Sequence, residues 1–320
     1  MIHLPKILLL FPAMTCAIIV TVIFFYLPCH ANQEGISNHL TAEEVPSPAV
    51  TNGEENMPVI DKRLKEEEKT REGSFSLTPH RQVYILLASY DPDPNTEVYD
   101  FTYEDKPKKV EANFQLSFKI RLWHNMFKNN GDLFCAYTQR SFWQVYDEIL
   151  SSPFRETNYE PELFIKFDTD FDILGFNHRV FSIGINHQSN GRSGARSLSR
   201  SWNRIYADFI LQRGKLAIGL RSWYRIPEDD EDDDNPDITE YLGNGEFFGA
   251  YKIKKNIFSF KFRNNLRINE NRGAAELGWS YPIRKIRVYV QYFVGYGENL
   301  VDYNYKSNRI GVGLMLFDWI

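Results

Sequence analysis

Three side chains, His187, Ser189 and Asn203, have the types and spacing for nucleophilic chemistry. A serine hydroxyl becomes a nucleophile when an imidazole takes its proton, and the imidazole works best when a third group fixes its tautomer. An Asn amide oxygen can do this without adding charge. Such a set cleaves esters, provided that donors also stabilise the oxyanion. The stretch "NGRSGARSLSRS", which follows Ser189, offers the backbone N–H of Gly191 for that role. It holds no carboxylate, so a metal bound there would take backbone carbonyls, hydroxyls and water, a donor set that suits calcium.

Position decides whether these residues can act together. His187 and Ser189 end the run "RVFSIGINHQS", in which Phe181, Ile183 and Ile185 alternate with Ser182, Gly184, Asn186 and Gln188. In a β-strand, residues two apart share a face, so His187 and Ser189 continue the apolar one. The next segment, "SWNRIYADFILQ", alternates likewise, with Asn203 on the face of Ile205, Ala207, Phe209 and Leu211. The connection 190–200 makes the two segments antiparallel neighbours. Asn203 then falls opposite His187, within side-chain reach. Taken singly, His187 reads as an interfacial aromatic and Ser189 as a rim hydroxyl; the trio on one face reads as catalytic.

A soluble protein would bury that face, and a membrane barrel would show it to lipid. The wider pattern favours the barrel. From residue 82 onward the chain repeats an alternating segment twelve times, each about ten residues long, as membrane-spanning strands require. The breaks sort by length. Every second one is short ("KNNGD", "LGFNH", "RGK", "KK", "RK"), while 90–111, 147–160, 190–200, 228–239, 269–273 and 299–307 are longer and more polar. Short turns at one end and long loops at the other mark an outer-membrane barrel. Lipid demands closure, because an open edge would leave backbone groups unpaired. The expected fold is therefore all-β, a 12-stranded antiparallel transmembrane barrel over 81–320, with a soluble sandwich or barrel as the alternative. Trp202, Trp223, Tyr224, Tyr281, Phe317 and Trp319 lie near segment ends and suit interfacial girdles.

Residues 1–31 place Lys6 before a long apolar stretch that ends in Cys29-His30-Ala31. They read as a cleaved secretory signal, with an uncleaved anchor as the alternative. Residues 32–80 form a polar N-terminal segment, read over 32–75 as a mobile tether. The net charge of −5 gives no reason to expect nucleic-acid binding, and no Cys spacing makes a metal site.

The motifs "NHQSNGRS…SRSWNR", "SSPFRETNYEPELF", "DDNPDITEYLG", "AELGWSYPI" and "GYGENLVDYN" together resemble the outer-membrane phospholipase A family over 82–320. The resemblance implies a twelve-stranded barrel in a Gram-negative outer membrane. It also implies calcium-dependent hydrolysis of phospholipid and lysophospholipid acyl esters, with A1 and A2 activity, by an active homodimer. On that resemblance Ser189 is the nucleophile, His187 the general base and Asn203 the orienting residue. The Gly191 amide and a calcium-polarised water would form the oxyanion site. Calcium would take the carbonyls of Arg192 and Ser199 and the hydroxyl of Ser151 from the partner subunit. Gln139 resembles the family's membrane-embedded polar residue at the dimer contact; a lumen-facing Gln is the alternative.

The chain departs from the family in one loop. Between Arg192 and Ser199 it is two residues longer and has Ser193-Gly194-Ala195 where the family has an Asp soon after the Arg. That Asp belongs to a second calcium site, whose other acid would here be Asp233 or Asp234, and Asp234 is the choice. A solvated acidic loop is the alternative for the run "EDDEDDDNPD". A pore or structural barrel is the competing function, and it would turn its working polar residues into the lumen.

Overall fold

The computed structural model describes residues 57–69, 76–97, 106–148, 153–192 and 198–320; the leader read over 1–31 lies outside them. Twelve strands pair antiparallel in chain order: β2 (Val83–Tyr90), β3 (Val110–Trp123), β4 (Asp132–Trp143), β5 (Phe154–Ile173), β6 (Phe176–Ser189), β7 (Ser201–Arg213), β8 (Leu216–Ile226), β9 (Gly245–Ile253), β10 (Asn256–Asn264), β11 (Gly273–Ile283), β12 (Ile286–Gly295) and β13 (Ser307–Phe317). β13 pairs with β2, which closes the cylinder. A two-residue bridge, β1 (Thr78–Pro79), continues the pairing of β3 where β2 stops. Closure rules out the open sandwich; the strands follow the expected segments, except that β5 begins at Phe154, seven residues inside the expected loop 147–160.

Four connections at the short-turn end are two-residue hairpins whose backbones enter the left-handed region: Leu174 at φ 51° with Gly175 at 79°, Gly214 at 58°, Lys254 at 54° and Arg284 at 57°; the fifth, between β3 and β4, spans residues 124–131. Positive φ matches the turn's twist to that of the strands, which is why such tight turns join membrane strands well.

The alternation is that of a barrel with lipid outside. On β7, Trp202, Arg204, Tyr206 and Asp208 are buried within, while Ile205 and Phe209 are 45% and 42% exposed. Ile183 and Ile185 on β6 and Leu220 and Tyr224 on β8 are likewise exposed. An apolar belt this wide is intelligible only against hydrocarbon. The lumen is filled by paired charges. Arg81 bonds Glu160 and Glu162 at 2.9 and 2.7 Å, Arg221 bonds Asp208 at 2.6 Å, and Arg204 bonds Glu160 at 3.0 Å. Nearer the long loops, Arg155 bonds Glu111 and Asp302, and Arg309 bonds Glu298. Each of these buried charges has an opposite neighbour, which buried ions require.

Three expectations are corrected. The segment read as a mobile tether contains a helix, α1 (Val59–Lys69). Its Val59 and Ile60 pack with Val180 and Ala217 from the lumen walls of β6 and β8, joined by Leu64, Ile210 and Trp319. Gln212 Oε1 accepts the Ile60 N–H at 3.0 Å, Arg179 bonds Asp61 at 2.7 Å, and Lys119 donates to Glu67 at 3.0 Å. A short, highly charged helix is held here by lumen partners and not by its own propensity. Second, part of the eighth predicted strand is helical: α2 (Ile238–Leu242) buries Ile238 and Leu242 before β9 begins. Third, Trp202, Trp223, Phe317 and Trp319 are not girdle residues: Trp319 packs on Phe248 and the helix inside the lumen, and Arg63 of that helix lies over the Phe317 ring. Strand parity turns Trp202 and Trp223 inward, where they meet edge to face and pack with Phe134, Tyr206, Leu242 and Leu300. Tyr224 and Tyr281 do point outward, at 62% and 38% exposure.

Candidate active site

β6 rises from the turn at 174–175 and ends at the loop 190–200, and β7 returns from that loop. The register places Ser189 opposite Ser201, His187 opposite Asn203 and Ile185 opposite Ile205. Ile185 and Ile205 are exposed, so His187, Ser189 and Asn203 share the outward face at the long-loop end. Asn203 Oδ1 lies 2.8 Å from His187 Nδ1. With an amide oxygen as partner, Nδ1 carries the proton and donates, so Nε2 is left as the basic nitrogen. Ser189, two residues on along the same face, is the neighbouring hydroxyl. This is the geometry expected from strand parity alone.

The loop beyond Ser189 is stapled by Asn190, a residue the sequence reading passed over. Its side chain takes the N–H of Arg192 and Arg200 at 3.3 and 3.1 Å and donates to the Leu198 carbonyl at 2.6 Å. Both flanks of Gly191 are thereby held. Gly191 itself sits at φ +65°, and a Cβ there would come within 3.0 Å of the Tyr159 ring, so glycine is needed on both counts. Tyr159 pairs with Ser189 across β5 and β6.

The residues expected around a cation are partly in view. Arg192 is anchored by Glu156 at 3.3 Å and by the Arg155 carbonyl. The Ser199 carbonyl accepts from Arg200 at 2.6 Å, and Ser199 Oγ donates to Asp234 at 2.6 Å. Ser151 lies outside the described residues. Among the described residues no group of three His, Cys, Asp or Glu is placed to hold a metal. The donors present are carbonyl, hydroxyl and carboxylate oxygens, hard ligands that fit calcium and not a transition metal.

The acidic run is not simply a solvated loop. Glu228 accepts from Asn203 Nδ2 at 2.8 Å, Asp234 from Ser199, and Asn235 Oδ1 from the Ser201 N–H at 3.0 Å. Arg225 folds the run back by bonding Asp233 at 2.6 Å and the Pro236 carbonyl at 3.0 Å. Burial raises the Glu228 carboxyl above its usual range, with Asp233 and Asp234 adding to the rise and Asn203 and Arg225 opposing it. Only the "DDNPD" end of this run had been linked to the site.

Gln139 faces outward, opposite the exposed Leu116 on β3 and Tyr159 on β5. It accepts from Tyr137 at 3.0 Å and donates to Ser141 at 3.1 Å. The lumen-facing alternative is therefore wrong. Gln139, Tyr159 and Ser189 fall on one cross-strand row, two strand spacings or roughly 10 Å from end to end.

Residues 60–316 match the phospholipase A1 family. A phospholipase A1 of Klebsiella pneumoniae is 42% identical over 246 residues, covering 76% of this chain and 83% of that protein. The phospholipase A1 of Escherichia coli K12 is 40% identical over 245 residues, covering 76% and 82%. Among solved structures, the outer membrane phospholipase A of Escherichia coli superposes with a TM-score of 0.72 at 41% identity, covering 77% of this chain and 100% of that one. The Salmonella typhi outer membrane phospholipase dimer with bound calcium gives 0.73 at 40% identity, covering 79% and 96%.

Proposed function

The chain belongs to the phospholipase A1 family, as an outer-membrane barrel enzyme of a Gram-negative bacterium, and on that premise we propose that it cleaves acyl esters from the lipid side of its own wall. Ser189 Oγ attacks the ester carbonyl. His187 Nε2 takes the hydroxyl proton and later delivers it to the leaving alcohol. Asn203 Oδ1 holds the Nδ1–H, fixes the tautomer and stabilises the imidazolium as it forms. To the Gly191 N–H we assign the developing oxyanion, on a loop that Asn190 keeps in place. The carbonyls of Arg192 and Ser199, with Ser151 of the partner subunit, would hold calcium, and Asp234 stands beside Ser199 as a further acid. Bound there, calcium supplies positive charge to the oxyanion.

A pore would use its lumen, yet the lumen is packed with ion pairs and the reactive trio faces lipid. The observation that carries the reading is the 2.8 Å contact of His187 and Asn203 on that face. The homodimer is part of the same proposal. Gln139 presents an amide to hydrocarbon on the row that leads to Ser189; Tyr137 and Ser141 on its own strand use one bond at each end of that amide, and the remaining donor and acceptor suit a partner across the lipid face. Two copies meeting along this row would bring each Ser151 to the other's site and enclose an acyl chain between them. In a resting membrane the monomer lacks that ligand and stays idle.

Hydrolysis of phospholipid in detergent micelles, with calcium, with chelator and as Ser189→Ala, tests the assignment. Activity should need both calcium and Ser189, while the variant keeps a heat-modifiable barrel. Turnover by Ser189→Ala would reject the nucleophile. A monomer shown by cross-linking to be fully active would reject the dimer requirement.

A further inference from the structure

The triad reading leaves Glu228 unused, although it touches one of its members. On β8 the outward set runs Tyr224, Ile226, and Ile226 lies directly opposite Asn203. Pro227 has no N–H and cannot extend the ladder. Glu228 is the next residue of that outward set, and its Oε1 comes 2.8 Å from Asn203 Nδ2.

The consequence follows from donor and acceptor types. The two ends of an Asn amide have nearly the same shape and opposite hydrogen-bonding sense. An imidazole can meet either end, donating to the oxygen or accepting from the nitrogen. If it accepts at Nδ1, the proton moves to Nε2, and His187 can no longer serve as a base for Ser189. An ionised carboxylate only accepts, so it selects the amide nitrogen. Glu228 thereby turns Oδ1 toward His187. Its charge, relayed through the amide, also favours the imidazolium that forms during attack. An Asn in place of an Asp lacks that charge; Glu228 restores part of it from one residue further out.

We propose that Glu228 is a positioning residue of this phospholipase, which sets the amide orientation of Asn203 and through it the tautomer of His187. The proposal rests on the triad reading above. It makes the first residue of the acidic run part of the esterase machinery.

The test is a double-mutant cycle in the full, refolded chain, assayed on phospholipid micelles with calcium. Glu228→Ala should lower kcat roughly three- to tenfold with KM unchanged, the worth of one net hydrogen bond. Glu228→Gln, which still offers an oxygen to Asn203, should retain more activity than Glu228→Ala. In an Asn203→Asp background the sign should reverse. A carboxylate at that position accepts from His187 in either orientation, and it meets Glu228 as a like charge. Removing Glu228 should then raise kcat above that of Asn203→Asp alone. A purely structural Glu228 would lower activity in both backgrounds. A double variant no more active than Asn203→Asp, or Glu228→Ala with unchanged kcat, overturns the proposal. Ser189→Ala, run beside the cycle, separates the two readings. Activity surviving in Ser189→Ala sinks the triad itself, whereas an inactive Ser189→Ala without the sign reversal sinks the role of Glu228 alone.

Discussion

Replacing Asn203 with Ala removes one acceptor from the site and leaves the wall intact. Asn203 is on the outward face, and the buried neighbours that hold β7, Trp202 and Arg204, point the other way. The bond at stake is the 2.8 Å contact with His187 Nδ1. In the resting enzyme it joins two neutral groups and is worth about 1 kcal/mol. When Ser189 attacks, His187 becomes cationic, and a hydrogen bond to a charged group is worth about 1.5–3 kcal/mol. Only the difference, about 0.5–2 kcal/mol, enters kcat, and at about 1.4 kcal/mol per decade it slows kcat by roughly 2- to 30-fold. The loss should fall mainly on kcat, because the bond strengthens only as charge forms. It should stay well short of the loss in Ser189→Ala. Initial rates on micellar phospholipid with calcium give the number, and heat-shifted migration in gels confirms a folded barrel. A variant as fast as the parent would show that the imidazole does not depend on this bond, and the triad would reduce to a pair.

Three further outcomes follow from the fold and the site. Gly191→Ala forces a side chain to φ +65° and against Tyr159, a strain of about 1–2 kcal/mol; kcat should drop at least tenfold while the melting temperature falls by only a few degrees, and full activity would place the oxyanion elsewhere. Phe209→Arg puts a charge on the lipid face, where Phe209 is 42% exposed, and should lower the unfolding free energy in lipid by about 2–4 kcal/mol; no loss would mean that this face is not in hydrocarbon. Glu67→Ala leaves Lys119 without its 3.0 Å partner, both side chains being 6% exposed; refolded protein should lose about 3–5 kcal/mol of stability in denaturant titrations, or less if α1 leaves the lumen. An unchanged midpoint would mean that the helix does not bear on the barrel.

Period-two alternation and the sorting of loop lengths made the barrel legible from the chain, and the same alternation put Asn203 across from His187. What stayed hidden lacks a period. α1 has only Val59, Ile60 and Leu64 as apolar contacts, too few to stand out in a charged segment, and its partners on β6, β7 and β8 are more than a hundred residues away. Trp202 and Trp223 were misplaced because nearness to a strand end suggests a girdle, whereas parity decides the side. α2 was absorbed into a strand because five residues are too short to show a helical repeat. Asn190, Glu228 and Asn235 act through bonds between loops, and composition alone makes such residues look like ordinary solvated polar groups.

Odd-numbered positions of β7 face lipid and include Asn203, and even-numbered ones hold the bore, so the proposed site depends on counting. One residue inserted below Asn203 would send Trp202 and Arg204 into fat and pull the amide into the packed interior, without altering any side chain of the triad. Two residues would preserve the sidedness and only raise the site by one pleat. Length changes in these staves should therefore survive in even steps, while the rim loops, which have no such arithmetic, remain free to lengthen by one.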